Sequence, residues 1–303
     1  ATNDYAFVSE GNAKVGIGQT SPNVTLGVSG DANITGTLSV GSFKMGNTEA
    51  ASMNITGEEI TFTGENGSLY QPTYGTDDDL VLYLPFSEIG SVNRSNTTYD
   101  RSPYGNDGVL SGMNQGVTIN ESGWVKGKYG YAMGFEESDS RITVAHPTDG
   151  SMDFGNGSVT ISFWFKCNVD DCTMNDGWNI YKRHAVTDQG FAYYVRNAGT
   201  VLCNFNDGAD SVSITTTETF DEGNWHHTTC VLDADSDTSR LYVDGIERVT
   251  GDTSTIDVGI TTSADLIMAD RSTERFIGVM DEVMIYKRAL APEEIRTHYL
   301  RGS

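Results

Sequence analysis

Phe276-Ile-Gly-Val-Met-Asp281-Glu-Val-Met-Ile-Tyr286-Lys-Arg-Ala-Leu290-Ala-Pro292-Glu-Glu-Ile-Arg296-Thr-His-Tyr299-Leu300 changes its hydrophobic period halfway along. The first half alternates like a strand, with Ile277, Val279, Asp281, Val283 and Ile285 on one side. The second half puts Pro292 at a first helical position, Glu293 and Glu294 in the first turn, and Arg296 and Arg301 toward the end. Proline lacks only an N–H that a first turn leaves unpaired, and acids at the start with bases at the end suit the helix dipole. The stretch reads as a strand feeding a short capped helix.

Working outward, short β-branched and aromatic runs recur between turn residues. They are Leu80-Val-Leu-Tyr-Leu-Pro-Phe86, Val159-Thr-Ile-Ser-Phe-Trp164-Phe-Lys, Phe191-Ala-Tyr-Tyr-Val195, Val201-Leu-Cys-Asn-Phe205 and Ser211-Val-Ser-Ile214. Only the C-terminal segment reads as helix. A strand-rich, turn-rich, antiparallel chain is all-β, and a two-sheet antiparallel jelly-roll sandwich is the architecture expected of it.

The closing strand and helix resemble those of laminin-G-like, concanavalin A-like jelly-roll domains. Matching segments precede them in the family's order. These are Asp100-Arg-Ser-Pro-Tyr-Gly105-Asn106-Asp107-Gly108, Gly127-Lys-Tyr-Gly130-Tyr-Ala-Met-Gly-Phe135, Asn224-Trp225-His226-His227, and Arg240-Leu-Tyr242-Val-Asp244-Gly245. The resemblance sets a laminin-G-like domain at 79–303 and implies that Trp225 is its buried core tryptophan. It also implies that such loops hold a structural Ca²⁺. That ion takes about six to eight hard oxygens, and Asp100, Asn106 and Asp281 are the metal candidates. Asp281 alternates with Val279 and Val283, so its carboxylate is expected to point inward, where it needs a partner. Family 16 glucanases share this fold and carry Glu-x-Asp-x-x-Glu on one strand. This chain has no such motif, and no catalytic residue is expected.

Residues 1–75 differ. They carry a near-repeat, Asn33-Ile-Thr-Gly36-Thr-Leu-Ser-Val40 and Asn54-Ile-Thr-Gly57-Glu-Glu-Ile-Thr-Phe62, of strands too short to bury a core alone. The run Val15-Gly-Ile-Gly18-Gln-Thr-Ser-Pro22-Asn-Val-Thr-Leu26-Gly-Val28 resembles shaft-joining segments of phage tail fibres and microbial surface proteins. It implies a small β-rich oligomerisation segment whose partners are other copies of the chain.

Composition narrows the partners. Among 303 residues, 19 Lys and Arg oppose 42 Asp and Glu, a net charge of −23. Such a field disfavours nucleic acid and anionic membrane surfaces. No apolar run reaches the ~20 residues of a membrane-spanning helix. Four cysteines, Cys167, Cys172, Cys203 and Cys230, form no zinc motif. Three disulfide pairings can be drawn, and Cys167–Cys172 with Cys203–Cys230 is preferred over the other two and over free thiols. Sequons at Asn23, Asn33, Asn54, Asn66, Asn93, Asn96, Asn120 and Asn156 fit a secreted glycoprotein.

Two further patterns bear on binding. Trp178, Tyr181 and Tyr194, near Arg183 and Arg196, form a candidate glycan platform; Tyr193 and Tyr194 must face opposite sides of their strand. Adjacent His226 and His227 must also diverge, one to the core and one to the surface. Asp233-Ala-Asp235-Ser-Asp237 imitates an EF-hand start, but Thr238 stands where Gly is required, so it reads as a hairpin turn. The expectation is an extracellular, non-enzymatic structural or adhesive protein of a cell or virion surface, a subunit of a fibre or filament with a Ca²⁺-stabilised head. The alternative is a carbohydrate-binding, lectin-like module with a tethering N-terminal region.

Overall fold

The computed structural model describes residues 15–17, 26–28, 77–86, 96–113, 123–135, 139–167, 173–174, 177–196, 199–220, 222–271 and 274–300. The chain divides into a unit Ala1–Glu59 and a unit Ile60–Ser303. In the first, β1 (Val15–Ile17) pairs in parallel with β2 (Leu26–Val28), Val15 opposite Leu26. The rest of the expected assembly segment, including both near-repeats, lies outside the described residues.

The second unit opens with β3 (Leu80–Leu84), β4 (Thr97–Thr98), β5 (Gly108–Ser111), β6 (Gly123–Lys126), β7 (Tyr131–Phe135), β8 (Arg141–Val144) and β9 (Val159–Cys167). Then come β10 (Thr173–Met174), β11 (Trp178–Arg183), β12 (Gly190–Val195), β13 (Val201–Asn206), β14 (Ser211–Thr215), β15 (Trp225–Asp233), β16 (Thr238–Val243) and β17 (Ile246–Asp252). The chain closes with β18 (Leu266–Met268), β19 (Asp270–Arg271), β20 (Glu274–Phe276), β21 (Gly278–Tyr286) and the helix α1 (Pro292–Leu300).

Two antiparallel sheets result, as the alternating runs predict. The first has the order β17-β16-β15-β9-β21-β7-β6, with β3 also on β21; the second runs β14-β13-β12-β11-β18-β8-β5-β4. Their inner faces enclose one apolar core that includes Leu82, Phe135, Ile161, Phe163, Phe191, Tyr193, Phe205 and Ile285. Cys203 of β13 and Cys230 of β15 join in a disulfide that ties one sheet to the other. Cys167 is disulfide-bonded as well; Cys172 lies outside the described residues.

The outer face of the first sheet is covered by α1. Leu290 and Ile295 pack there on Leu80, Tyr83, Val231, Tyr242, Met284 and Tyr286, and Tyr299 stacks on Trp164 with ring centroids 5.8 Å apart. The helix start follows its sequence signals: the Glu294 carboxylate accepts from the Ala291 amide at 2.9 Å, satisfying one orphan donor of the first turn. Arg288 binds Glu294 at 2.8 Å and Asp77 at 2.9 Å, and the Lys287 amide donates to the Asp79 carbonyl at 2.8 Å. The beginning and the end of the domain therefore meet at one latch.

The alternation along β21 departs from its simple reading. Glu282 adopts φ 52, and the β21–β9 register shifts between Asp281 and Met284. One extra residue exchanges the faces. Met280, Val283 and Ile285 point into the core, whereas Asp281 stands opposite Trp164 on the helix-covered face. Asp281 is thus buried, but not between the sheets. Among the described side chains Trp164 is the buried tryptophan, and Trp225 is part-exposed. Asp244-Gly245 makes a two-residue hairpin turn at positive φ (55° and 69°), as Asp-Gly between two strands favours. The EF-hand-like run is a hairpin turn too, Asp233 pairing with Thr238.

Candidate glycan-binding face

The outer face of the second sheet presents a built, part-exposed surface. Alternation along β11 to β14 sends Ile180, Phe191, Tyr193, Val195, Cys203 and Phe205 inward. That leaves Tyr181, Ala192, Tyr194, Leu202 and Asn204 outward. Register aligns them in two rows across the strands, Tyr181–Ala192–Asn204–Ser213 and Tyr194–Leu202–Thr215. Tyr181, Tyr194 and Leu202 are half-buried, while Ser211 and Ser213 are exposed. The floor beneath these side chains is Ala192 and Gly190, both buried, and Asn204 is buried with them. Gly190 holds φ 130°, and a Cβ there would collide with the Lys182 carbonyl oxygen, so nothing larger fits.

A hydrogen-bonded rail crosses this floor. Asp188 accepts from Arg183 Nη1 at 2.7 Å, and Arg183 Nη2 donates to Asn204 Oδ1. Asn204 Nδ2 then donates to Ser211 Oγ at 2.9 Å and to Ser213 Oγ at 2.7 Å. Arginine can only donate, so it fixes which end of the Asn204 amide is oxygen. Each serine oxygen accepts from that amide, so its own proton is not used in the bond to Asn204. Charge on the rail is balanced within it: Arg183 meets Asp188.

The platform residues read from the sequence are brought together here. Tyr181 and Tyr194 share the outer face on adjacent strands, and Trp178 stands opposite Tyr194 in the ladder. The Trp178 side chain lies outside the described residues. Tyr193 points the other way, fully buried, bonding Thr228 across the core; burial drives its phenol above the usual range. Asn204, Ser211 and Ser213 were not singled out from the sequence. The signal was present, because Ser211-Val-Ser-Ile alternates polar and apolar, but its meaning depends on the strands beside it.

The metal candidates have other partners. Asp100 accepts from the amides of Tyr83 (2.8 Å), Ser102 (2.9 Å) and Asn106 (2.8 Å) and from the Ser102 hydroxyl (2.6 Å). Four donors fill a carboxylate's lone-pair directions. Asn106 Nδ2 donates to the Val81 carbonyl at 2.8 Å and to Ser151 Oγ at 3.1 Å. Asp281 accepts from the Tyr129 amide at 3.0 Å and the Glu282 amide at 2.9 Å. Burial, then the adjacent Glu282 charge, hold its carboxyl well above the usual range. This donor set fits a hydrogen-bonded turn and a buried acid better than a cation cage. Among the described residues, no group of three or more His, Cys, Asp or Glu is placed to hold a metal ion.

Both histidines of the adjacent pair are buried, contrary to the expected split. They do diverge. His227 lies under α1 with Nε2 3.0 Å from Ser162 Oγ, and burial, then His298, depress its pKa to about 3, so it is neutral. His226 faces the other way, clamped by Asp244 at 2.8 Å and Glu222 at 3.0 Å. Burial alone would lower its pKa, but the hydrogen bond and charge of Asp244 and the charge of Glu222 outweigh this and raise it. Neither imidazole lies on the platform.

A family profile described as the concanavalin A-like lectin/glucanases superfamily, of laminin-G type, matches residues 136–296. That is more than half of the chain, and the chain belongs to this family. Among solved structures it is similar to the binding domain of Paraclostridial Mosquitocidal Protein 1, with 21% identity and a TM-score of 0.56, over 73% of this chain and 52% of that one. It is also similar to the receptor-binding domain of a botulinum neurotoxin C/D mosaic serotype, with 17% identity and a TM-score of 0.55, over 74% and 51%. A third likeness is to the binding domain of botulinum neurotoxin DC in complex with SialylT, with 14% identity and a TM-score of 0.55, over 75% and 52%. At these identities the likeness shows the fold alone, and the chain spans about half the length of each structure. Among curated proteins none matches by sequence.

Proposed function

We propose that the jelly roll is an extracellular, non-enzymatic carbohydrate-binding module whose ligand lies on the outer face of the second sheet. One observation carries this reading: Tyr181 and Tyr194 stand part-exposed beside a fixed amide-and-hydroxyl rail, on the face opposite the one that α1 covers. Sugar recognition needs those two chemistries together, flat apolar surface for C–H faces and oriented polar groups for hydroxyls. The disulfide supports an oxidising compartment. The structural neighbours are binding domains by name, one in complex with SialylT, which is consistent with recognition as the role. Saturation-transfer NMR against a panel of glycans tests the proposal. Tyr194→Ala should abolish the transfer while leaving the melting temperature within a few degrees, and unchanged transfer in that variant would refute the site.

The fibre-subunit reading keeps one supporting observation. β1 and β2 pair in parallel across a short connection, the arrangement of a stacked solenoid coil, not of a hairpin. Light scattering of the full chain from micromolar to millimolar concentration tests it; a monomer throughout would end it.

A further inference from the structure

We propose that the ligand is an uncharged oligosaccharide laid across β11 to β14, read at its far end by the hydroxyls of Ser211 and Ser213. This deepens the glycan-binding reading above and rests on it. Three features of the face point to that class. The first is length: from Tyr181 on β11 to Ser213 on β14 the row spans three strand spacings, about 14 Å, which is room for more than one sugar ring. The second is order along the row. Aromatic contact comes from Tyr181 on β11 and Tyr194 on β12, and hydroxyl recognition is concentrated on β14, two to three strand spacings away. A single ring therefore cannot reach both an aromatic ring and the serines.

The third feature is charge. Arg183, the cation of the rail, is already committed to Asp188 and Asn204. Recruiting it for a sugar carboxylate would break the bond that orients the Asn204 amide. A chain of net charge −23 also repels an anionic ligand before contact. The exposed serine hydroxyls, by contrast, are neutral groups that can turn a proton toward a ligand and so match a sugar hydroxyl or ring oxygen. Ser211 and Ser213 are thus specificity-determining positions, and Asn204 is a positioning residue that acts through them.

The full chain should be applied to an array of uncharged, sialylated and sulfated glycans, and the best uncharged hit then titrated as a mono- to tetrasaccharide series by calorimetry. Affinity should rise at least tenfold with length. The double variant Ser211→Ala/Ser213→Ala should lose about tenfold on the tetrasaccharide and nothing on the monosaccharide, which is a few net hydrogen bonds. Both serines are exposed, but the buried Asn204 loses the two acceptors of its Nδ2, so a fall of a few degrees in melting temperature is expected. A cooperative melt well above the assay temperature checks that the variant is folded. Hits confined to sialylated or sulfated glycans would overturn this inference and leave the binding face standing. So would length-independent affinity, or a serine variant indistinguishable from wild type, provided Tyr194→Ala still abolishes binding. No hits at all would overturn the face and the inference together.

Discussion

Replacing both Cys203 and Cys230 by alanine isolates what the inter-sheet disulfide contributes. The bond closes a loop with a sequence separation of 27, for which the chain-entropy relation gives about 3.5 kcal/mol at room temperature. Alanine is the suitable replacement because both sites are fully buried, and a serine hydroxyl there would add its own desolvation cost. For a domain of this size each kcal/mol shifts the melting temperature by about 2–4 °C, so a fall of about 7–14 °C is expected. Guanidinium unfolding without reductant, so that the Cys167 disulfide stays intact, would read both the stability and the slope. The slope should hold or rise slightly, because the freed denatured chain exposes more surface. A loss below about 1 kcal/mol would refute the reasoning and show that the packed core alone sets the spacing of the two sheets.

Three further outcomes can be checked by melting curves. The folded pKa of His226 lies above its ordinary value; its clamp therefore contributes fully below about pH 6.5 and is lost as pH rises through the folded value. Wild type should lose more stability than His226→Gln between pH 6 and pH 8.5, and parallel curves would rule the clamp out. Asp207 accepts from four backbone amides, those of Ala209, Asp210, Asp257 and Val258, at 2.8–3.1 Å. Burial alone would raise its pKa, but these amides lower it, so its contribution is present above the ordinary carboxylate pKa and is lost as pH falls through the folded value. Asp207→Ala at pH 7 should cost about 2–4 kcal/mol and speed amide exchange in residues 253–260, and an unaltered loop would contradict this. Ile295→Ala, which empties a fully buried site under α1, should cost about 2–4 kcal/mol and raise binding of an apolar dye; no dye response would mean that the helix stays docked without it.

Much of this fold could be read from residues alone, and the exceptions are instructive. Pro292, Glu293 and Glu294 announce α1, and Asp244-Gly245 announces its turn, because each acts within a few residues of itself. The bulge at Glu282 gives no such notice. Nothing in Met280-Asp281-Glu282-Val283 requires a positive φ, and the Glu282 carboxylate is held by the Tyr83 hydroxyl at 2.7 Å, from a strand nearly 200 residues away. Missing that bulge is what sent Asp281 to the wrong face. Trp225 and His226 were misjudged for a related reason: burial of a sheet face depends on what α1 and the Glu222 loop cover, which alternation cannot say. On the outer face of the second sheet, the shared side of Tyr181 and Tyr194 follows from strand alternation. Asn204, Ser211 and Ser213 were not legible, since three strands must be aligned before their rail exists.

The latch formed by Asp77, Arg288 and Glu294 has a mechanical consequence. Leu80, at the start of β3, pairs with Tyr286, at the end of β21, so the entry to β3 and the exit from β21 lie at the same corner. From there α1 carries the chain back across the sheet to Tyr299 on Trp164. A pull applied between that entry and that exit would load one backbone pair at a time, as a zipper opens, instead of shearing the whole ladder at once. Under tension the β3 edge should peel first and at low force, while the sheet bearing Tyr194 and Asn204, cross-linked through Cys203, carries none of the strain.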